Sequence, residues 1–195
     1  FFVNELGQAI TCKHVAAIIA QADAVNGQYS KFREENNSLP KGAKYHKKLK
    51  ELERKFGYQK NITVQIKNLF IDCVDKFDSY EIVTHPLHDL AIIKFNGYGS
   101  LAYSNHAIFL GDDSKIQQGK YLCRLGYPFP EFSNFKFNTE KDDIEWTSDG
   151  QLGTPRFPID GILTRHLLNG GEITGIELST PGLRGQSGGP LFDTE

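Results

Sequence analysis

Short apolar runs set between turn residues dominate the chain. Phe1-Phe2-Val3 and Gln8-Ala9-Ile10-Thr11-Cys12 flank the turn-like Asn4-Glu5-Leu6-Gly7, which predicts a hairpin that delivers the backbone to His14. Runs rich in β-branched and aromatic residues follow at 62–66, 69–74, 80–83 and 90–95, then at 121–125, 132–137, 144–146, 161–165 and 173–178, ending at 190–192. Their length and spacing predict two batches of antiparallel strands, a sandwich or barrel rather than alternating strands and helices. Asn96-Gly97-Tyr98-Gly99-Ser100 is the natural divide, giving residues 1–98 and 99–195 as two units. One stretch breaks the pattern. Residues 22–60 turn polar and charged, and within them Tyr45, Leu49, Leu52 and Phe56 recur every three or four positions, which predicts a helix over 44–56 stopped by Gly57.

Composition narrows the function classes. The 195 residues are 39% hydrophobic and 24% charged, which argues against disorder and fibrous repeats. Lys+Arg 22 against Asp+Glu 24 leaves a net charge of −2, too balanced for a chain that binds nucleic acid or membrane over its whole surface. The apolar run at 15–22 is too short to span a bilayer. Cys12, Cys73 and Cys123 form neither a disulfide framework nor a CxxC metal knuckle, so a reducing, cytoplasmic setting is expected. The absence of Met leads to the expectation of a processed chain or an excerpt, and keeps a periplasmic protein with a lost signal peptide as the alternative.

The chemistry concentrates in three segments. Gly185-Gln186-Ser187-Gly188-Gly189-Pro190-Leu191 places a serine between glycines, as a nucleophile on a tight turn needs when backbone N–H groups must face a developing oxyanion. A plain Gly-rich β-turn is the competing reading. Thr11-Cys12-Lys13-His14-Val15-Ala16 brings a histidine off a strand into small residues, and His88-Asp89-Leu90-Ala91-Ile92 sets a carboxylate directly before an apolar strand, where it needs a hydrogen-bonding partner. The order His, Asp, Ser is one of the known orders of a catalytic triad. His85, His88 and Asp89 also offer a metal-cluster reading, but zinc needs a further ligand and no Cys pair is at hand, so no metal is expected, with His85-Pro86 in a tight turn and His88 on a rim.

The three segments resemble the His, Asp and Ser motifs of the chymotrypsin-like (trypsin-like) serine peptidases, most closely the bacterial HtrA/Deg-like branch and related bacterial trypsin-like domains. The similarity covers most of the chain outside 22–60, with Gly119-Lys120-Tyr121-Leu122-Cys123-Arg124-Leu125-Gly126-Tyr127-Pro128 resembling the opening strand of that family's second barrel. The resemblance implies an all-β chain of two packed antiparallel β-barrels, with a helical insertion in the first and the active site between them. It further implies a serine endopeptidase that works through an acyl-enzyme without any cofactor, with Ser187 as nucleophile, His14 as base, Asp89 orienting His14, and the amides of Gly185 and Ser187 as the oxyanion hole. Family members carry further strands before the His and after the Ser, so the chain is expected to be cut at both ends, with the second barrel incomplete after Glu195.

Departures from the family pattern limit what carries over. Gln186 stands where digestive relatives have an Asp that pairs with a freshly cut amine, and Val15 where they have a disulfide Cys. Thr180, Pro181, Gly182, Leu183 and Arg184 correspond to a wall of the primary specificity pocket; no Asp sits at its base, so a small or apolar side chain is expected there, with a solvated Arg184 weighed against one that selects acidic residues. Substrates are expected to be proteins or extended peptides. The basic residues of 41–60 read as a solvated helix docked on the barrel, or as a surface for a regulatory partner, rather than as a nucleic-acid site. The alternative to an enzyme is a catalytically silent protease-fold domain used for binding or regulation.

Overall fold

The computed structural model of the chain describes residues 1–58, 62–70, 72–129, 135–147 and 156–193. Strand β1 (Gln8–Thr11) is followed by helices α1 (Lys13–Asn37) and α2 (Tyr45–Lys55), and strands β2 (Ser79–Thr84) and β3 (Ala91–Asn96) complete the first half. The second half holds β4 (Tyr121–Arg124), β5 (Phe135–Asn138), β6 (Asp143–Trp146), β7 (Ile159–Asn169), β8 (Glu172–Leu178) and β9 (Leu191–Asp193). They form three antiparallel sheets, in the orders β1-β3-β2, β8-β7-β4-β9 and β5-β6.

The predicted hairpin at the start is present: Phe2 bridges Ala9, and the Ile10 amide donates to the Phe1 carbonyl. Strand β3 supplies the core of the first sheet. Ala91, Ile93 and Phe95 alternate inward and are buried, as the period of two dictates for a strand covered on one face. Phe95 packs edge-on against Phe70 and Phe77, with ring centroids 5.0 and 5.1 Å away, and Ile19 of α1 closes over this cluster.

Two helices accompany the sheets in a mostly β chain, and α1 alone runs for 25 residues. It starts at Lys13, well before the expected insertion boundary at residue 22, so His14 stands in its first turn. Helix α2 matches the predicted stripe, but Leu49, Leu52 and Phe56 do not dock on a barrel. They face α1, where Phe32 meets Phe56 edge-on at 5.7 Å and the Tyr45 hydroxyl bonds Asn36. Gly57, with φ +69°, ends α2; the Gly57 amide donates to the Arg54 carbonyl and the Tyr58 amide to that of Glu53, the two bonds of a Schellman stop.

Among the described residues, two expected strands form no ladder. Residues 62–70 have no ladder; the Asn26 side chain instead accepts from the Ile66 amide and donates to its carbonyl, doing for that residue what a neighbouring strand would do. Of the run at 69–74, Ile71 lies outside the described residues and Val74 makes only a single bridge, to Leu101. The part of the predicted 132–137 strand at 132–134 also lies outside them. Among the described residues the sheets are open, and none closes into a barrel. Among the same residues no helix is long and apolar enough to cross a membrane.

Helix α1 is tied to the turn of the distant β5-β6 hairpin, at Lys141 and above all at Asp142. The Tyr29 hydroxyl bonds Asp142 Oδ2, Arg33 pairs with the same carboxylate at 3.3 Å, and the Gln65 amide donates to the Asp142 carbonyl. Burial, then the bond to Asp142, pushes the Tyr29 hydroxyl up to about 12. On the opposite side of α1, Gly27 is exposed, and a Cβ there would meet nothing within 4 Å. Gly27→Ala should therefore stabilise the protein by about 1 kcal/mol, read as a higher urea midpoint at unchanged m-value.

Candidate active site

The register of the first sheet brings the first two segments together. Thr11 pairs with Ala91 in an antiparallel ladder, so the residues that follow Thr11 and those that precede Ala91 emerge at the same edge. Asp89 sits in a compact loop closed by the His85 amide on the Leu90 carbonyl and by Lys13 Nζ on the His85 carbonyl at 3.1 Å. His85 Nδ1 accepts the amides of Leu87 and His88, which uses that nitrogen within the loop and fits the tight turn expected at His85-Pro86.

Asp89 holds His14 twice. Oδ1 accepts the His14 backbone N–H at 2.9 Å, and Oδ2 contacts the ring Nδ1 at 2.6 Å. An ionised carboxylate only accepts, so Nδ1 carries the hydrogen, and in the neutral ring Nε2 is left as an acceptor. Cys12, the residue that caps α1, makes no side-chain cap bond, and the first turn carries no acidic residue. Asp89 thus does from 75 positions away what an N-cap side chain does, at the positive end of the helix dipole. The His14 amide first, then the ring contact, hold the Asp89 carboxyl below its ordinary range. Both side chains are about half exposed, so the pair opens to solvent, and the partner expected for Asp89 at the edge of the strand is His14.

The second sheet presents Ser187 by the same logic. Arg124 pairs with Leu191, so the residues after β4 run opposite those before β9. Gly185, at φ +88°, accepts the Tyr127 amide through its carbonyl, and a Cβ on it would overlap the Tyr127 carbonyl oxygen. The turn is braced by the Leu183 amide on the Gln186 side chain at 2.8 Å and by the Gly189 amide on the Gln186 carbonyl at 3.0 Å. Among the described residues, the amides of Gly185 and Ser187 donate to no protein group.

The two halves meet at this turn. Gly188, at φ +77°, lies so close to Thr11 and Cys12 that a Cβ would collide with the Thr11 hydroxyl. Ser187, Gly185 and Tyr127 line a cavity of about 750 Å³ together with Thr11 and Val15, the residue next to His14. No hydrogen bond joins His14 to Ser187 among the described residues; in substrate-free sites such a contact commonly tightens only when substrate arrives.

The predicted specificity wall behaves differently. Arg124 clamps the carbonyls of Thr180 and Pro181 at 2.9 and 3.0 Å, and the Thr180 hydroxyl donates to the Asp160 carbonyl. Thr180, Pro181 and Gly182 line a recess of about 360 Å³ with Arg124 that Ser187 does not border, while Leu183 and Arg184 are exposed on the turn. Two neighbours escaped the sequence reading. Cys12 Sγ, a His14 ring nitrogen and an Asp89 oxygen all lie within 4.8 Å of one another, and Arg156, raised in pKa by its bond with Tyr127, reaches Asp72 Oδ2 at 2.6 Å on the cavity rim. The position of Cys12 two residues before His14 was the available signal for the first; nothing in the sequence pointed to the second.

No protein-family model matches the chain, and no curated protein matches it. The site's own geometry therefore carries the functional argument. Because the Asp89 carboxyl is held low, its two bonds persist above the ordinary carboxylate range and are lost as pH falls through the lower folded value. A carbon-detected NMR titration should show Asp89 titrating below ~3.9, with the His14 amide resonance moving in step. Titration at or above that value would contradict the two-bond geometry.

Proposed function

We propose that the chain is a serine-type endopeptidase domain in which Ser187, His14 and Asp89 act as a catalytic triad. The observation that carries this reading is the double hold of Asp89 on His14, together with a glycine-bounded turn whose Gly185 and Ser187 amides have no protein partner among the described residues. In the proposed reaction, Ser187 Oγ attacks the scissile carbonyl while His14 Nε2 takes its proton. The negative oxygen of the tetrahedral intermediate is received by the two amides, and His14 then protonates the leaving amine. Asp89 keeps Nδ1 protonated and offsets the imidazolium charge. Water repeats the sequence on the acyl-enzyme.

The open sheets β1-β3-β2 and β8-β7-β4-β9 are read as the cores of two trypsin-like barrels, split near Gly97, with α1 and α2 as an insertion in the first. The substrate is a protein or peptide bound in extended form along the cavity beside Ser187, by backbone pairing of the kind that adds a strand to a sheet edge. Three free thiols favour a reducing compartment.

A fluorophosphonate probe tests the nucleophile directly: it should label Ser187 in the intact chain and fail to label Ser187→Ala. Peptide hydrolysis by Asp89→Asn should fall by about 10⁴-fold in kcat, because the imidazole loses its tautomer lock. A chain that folds but is never labelled at Ser187 would leave the reading as a silent binding module in its place.

A further inference from the structure

Of the three thiols, two are already committed. Cys73 Sγ bonds the Phe70 carbonyl and Cys123 Sγ the Arg124 carbonyl, and both residues are buried. Cys12 is the half-buried one, its sulfur has no hydrogen-bond partner among the described residues, and it points toward the His14–Asp89 pair. Its backbone is pinned on two sides, as the cap of α1 and under Gly188. One thiol sulfur, one imidazole nitrogen and one carboxylate oxygen therefore converge within 4.8 Å.

We propose that Cys12, His14 and Asp89 bind a zinc ion, and that its occupation silences the site by taking His14 away from Ser187. Zinc bonds thiolate, imidazole and carboxylate at about 2.0–2.3 Å, which sets tetrahedral ligands about 3.5 Å apart, so closure needs only side-chain rotations of about 1 Å. The ligand set selects for zinc: magnesium and calcium prefer all-oxygen shells, whereas sulfur with nitrogen suits a softer ion. The thiolate and the carboxylate neutralise the two positive charges, the thiol proton leaves to solvent, and water fills the fourth position. Coordination through Nδ1, the nitrogen that faces Asp89, replaces the bond to Asp89, and the ring hydrogen moves to Nε2. His14 then has no nitrogen left to accept the Ser187 proton. The metal site stands on its own geometry, whereas its effect on activity rests on the peptidase reading.

Cobalt(II) reports the site independently of activity. Titrated into the metal-free chain, it should give a near-ultraviolet thiolate-to-cobalt band and tetrahedral visible bands at one equivalent, bleached by one equivalent of zinc. Cys12→Ala and Cys12→Ser should both lose the band, and their zinc affinity should drop at least tenfold. In parallel, zinc should block fluorophosphonate labelling of Ser187, EDTA should restore it, and the blocking midpoint should rise at least tenfold in either Cys12 variant. A band that survives in both variants, or zinc blocking with an unchanged midpoint, overturns the site. Labelling that proceeds without any cobalt band in the parent chain overturns it while leaving the peptidase reading intact. Failure to label Ser187 even without metal sinks the peptidase reading alone, and the cobalt band then decides the metal site.

Discussion

One carboxylate with two hydrogen donors from a single residue is the constraint on which the site depends. Asp89 bonds both the backbone and the ring of His14, so it fixes where α1 begins and how the imidazole points at the same time. The ladder of β1 on β3 makes this cheap. With Thr11 opposite Ala91, the two segments need only continue past the sheet edge to meet. The helix in turn has no capping side chain of its own, so its first turn and the orientation of His14 share one acceptor.

The serine turn is held by close packing rather than by a charged pair. Gly185 against Tyr127, Gly126 against Gln186 and Gly188 against Thr11 leave no room for a β-carbon, which fixes the turn between the second sheet and the end of β1. The insertion ties the halves again at the far end of α1, where Tyr29, Arg33 and Gln65 converge on Asp142. Two independent ties of this kind make the relative placement of the halves a property of many residues.

Strands that alternate buried and exposed positions were legible. Ala91, Ile93 and Phe95 announce β3, and the antiparallel partners around β4 read similarly from their apolar runs. Helix α2 was legible from Leu49, Leu52 and Phe56. Helix α1 was not, because the stripe it turns inward is half polar: Ala16, Ile19 and Ala22 give way to Asn26, Tyr29, Arg33 and Asn36, whose value lies in bonds to groups outside the helix. The same bonds misled at 62–66, where a β-rich sequence pairs with the Asn26 side chain instead of a strand. For the site, the three segments were legible as motifs, and the fold joins His14 to Asp89 and sets the serine turn against Thr11 and Cys12. The partner of Asp89 could be expected only in kind, and the approach of Cys12 depends on a helix start that periodicity did not reveal.

The contact of Gly188 with Thr11 and Cys12 also bears on the order in which the molecule is made. It joins residues near opposite ends of the chain, and closing so long a loop has the highest entropic cost of any contact at the site. Domains fold largely from the N-terminus as synthesis proceeds, so the His14–Asp89 pair can form while the serine turn is still unmade. A chain emerging from the ribosome can therefore pair His14 with Asp89 before residues 90–187 have all been made. The junction at Gly188 can close only once the serine turn itself has been made, so the packing of the two halves comes after the pairing within the first.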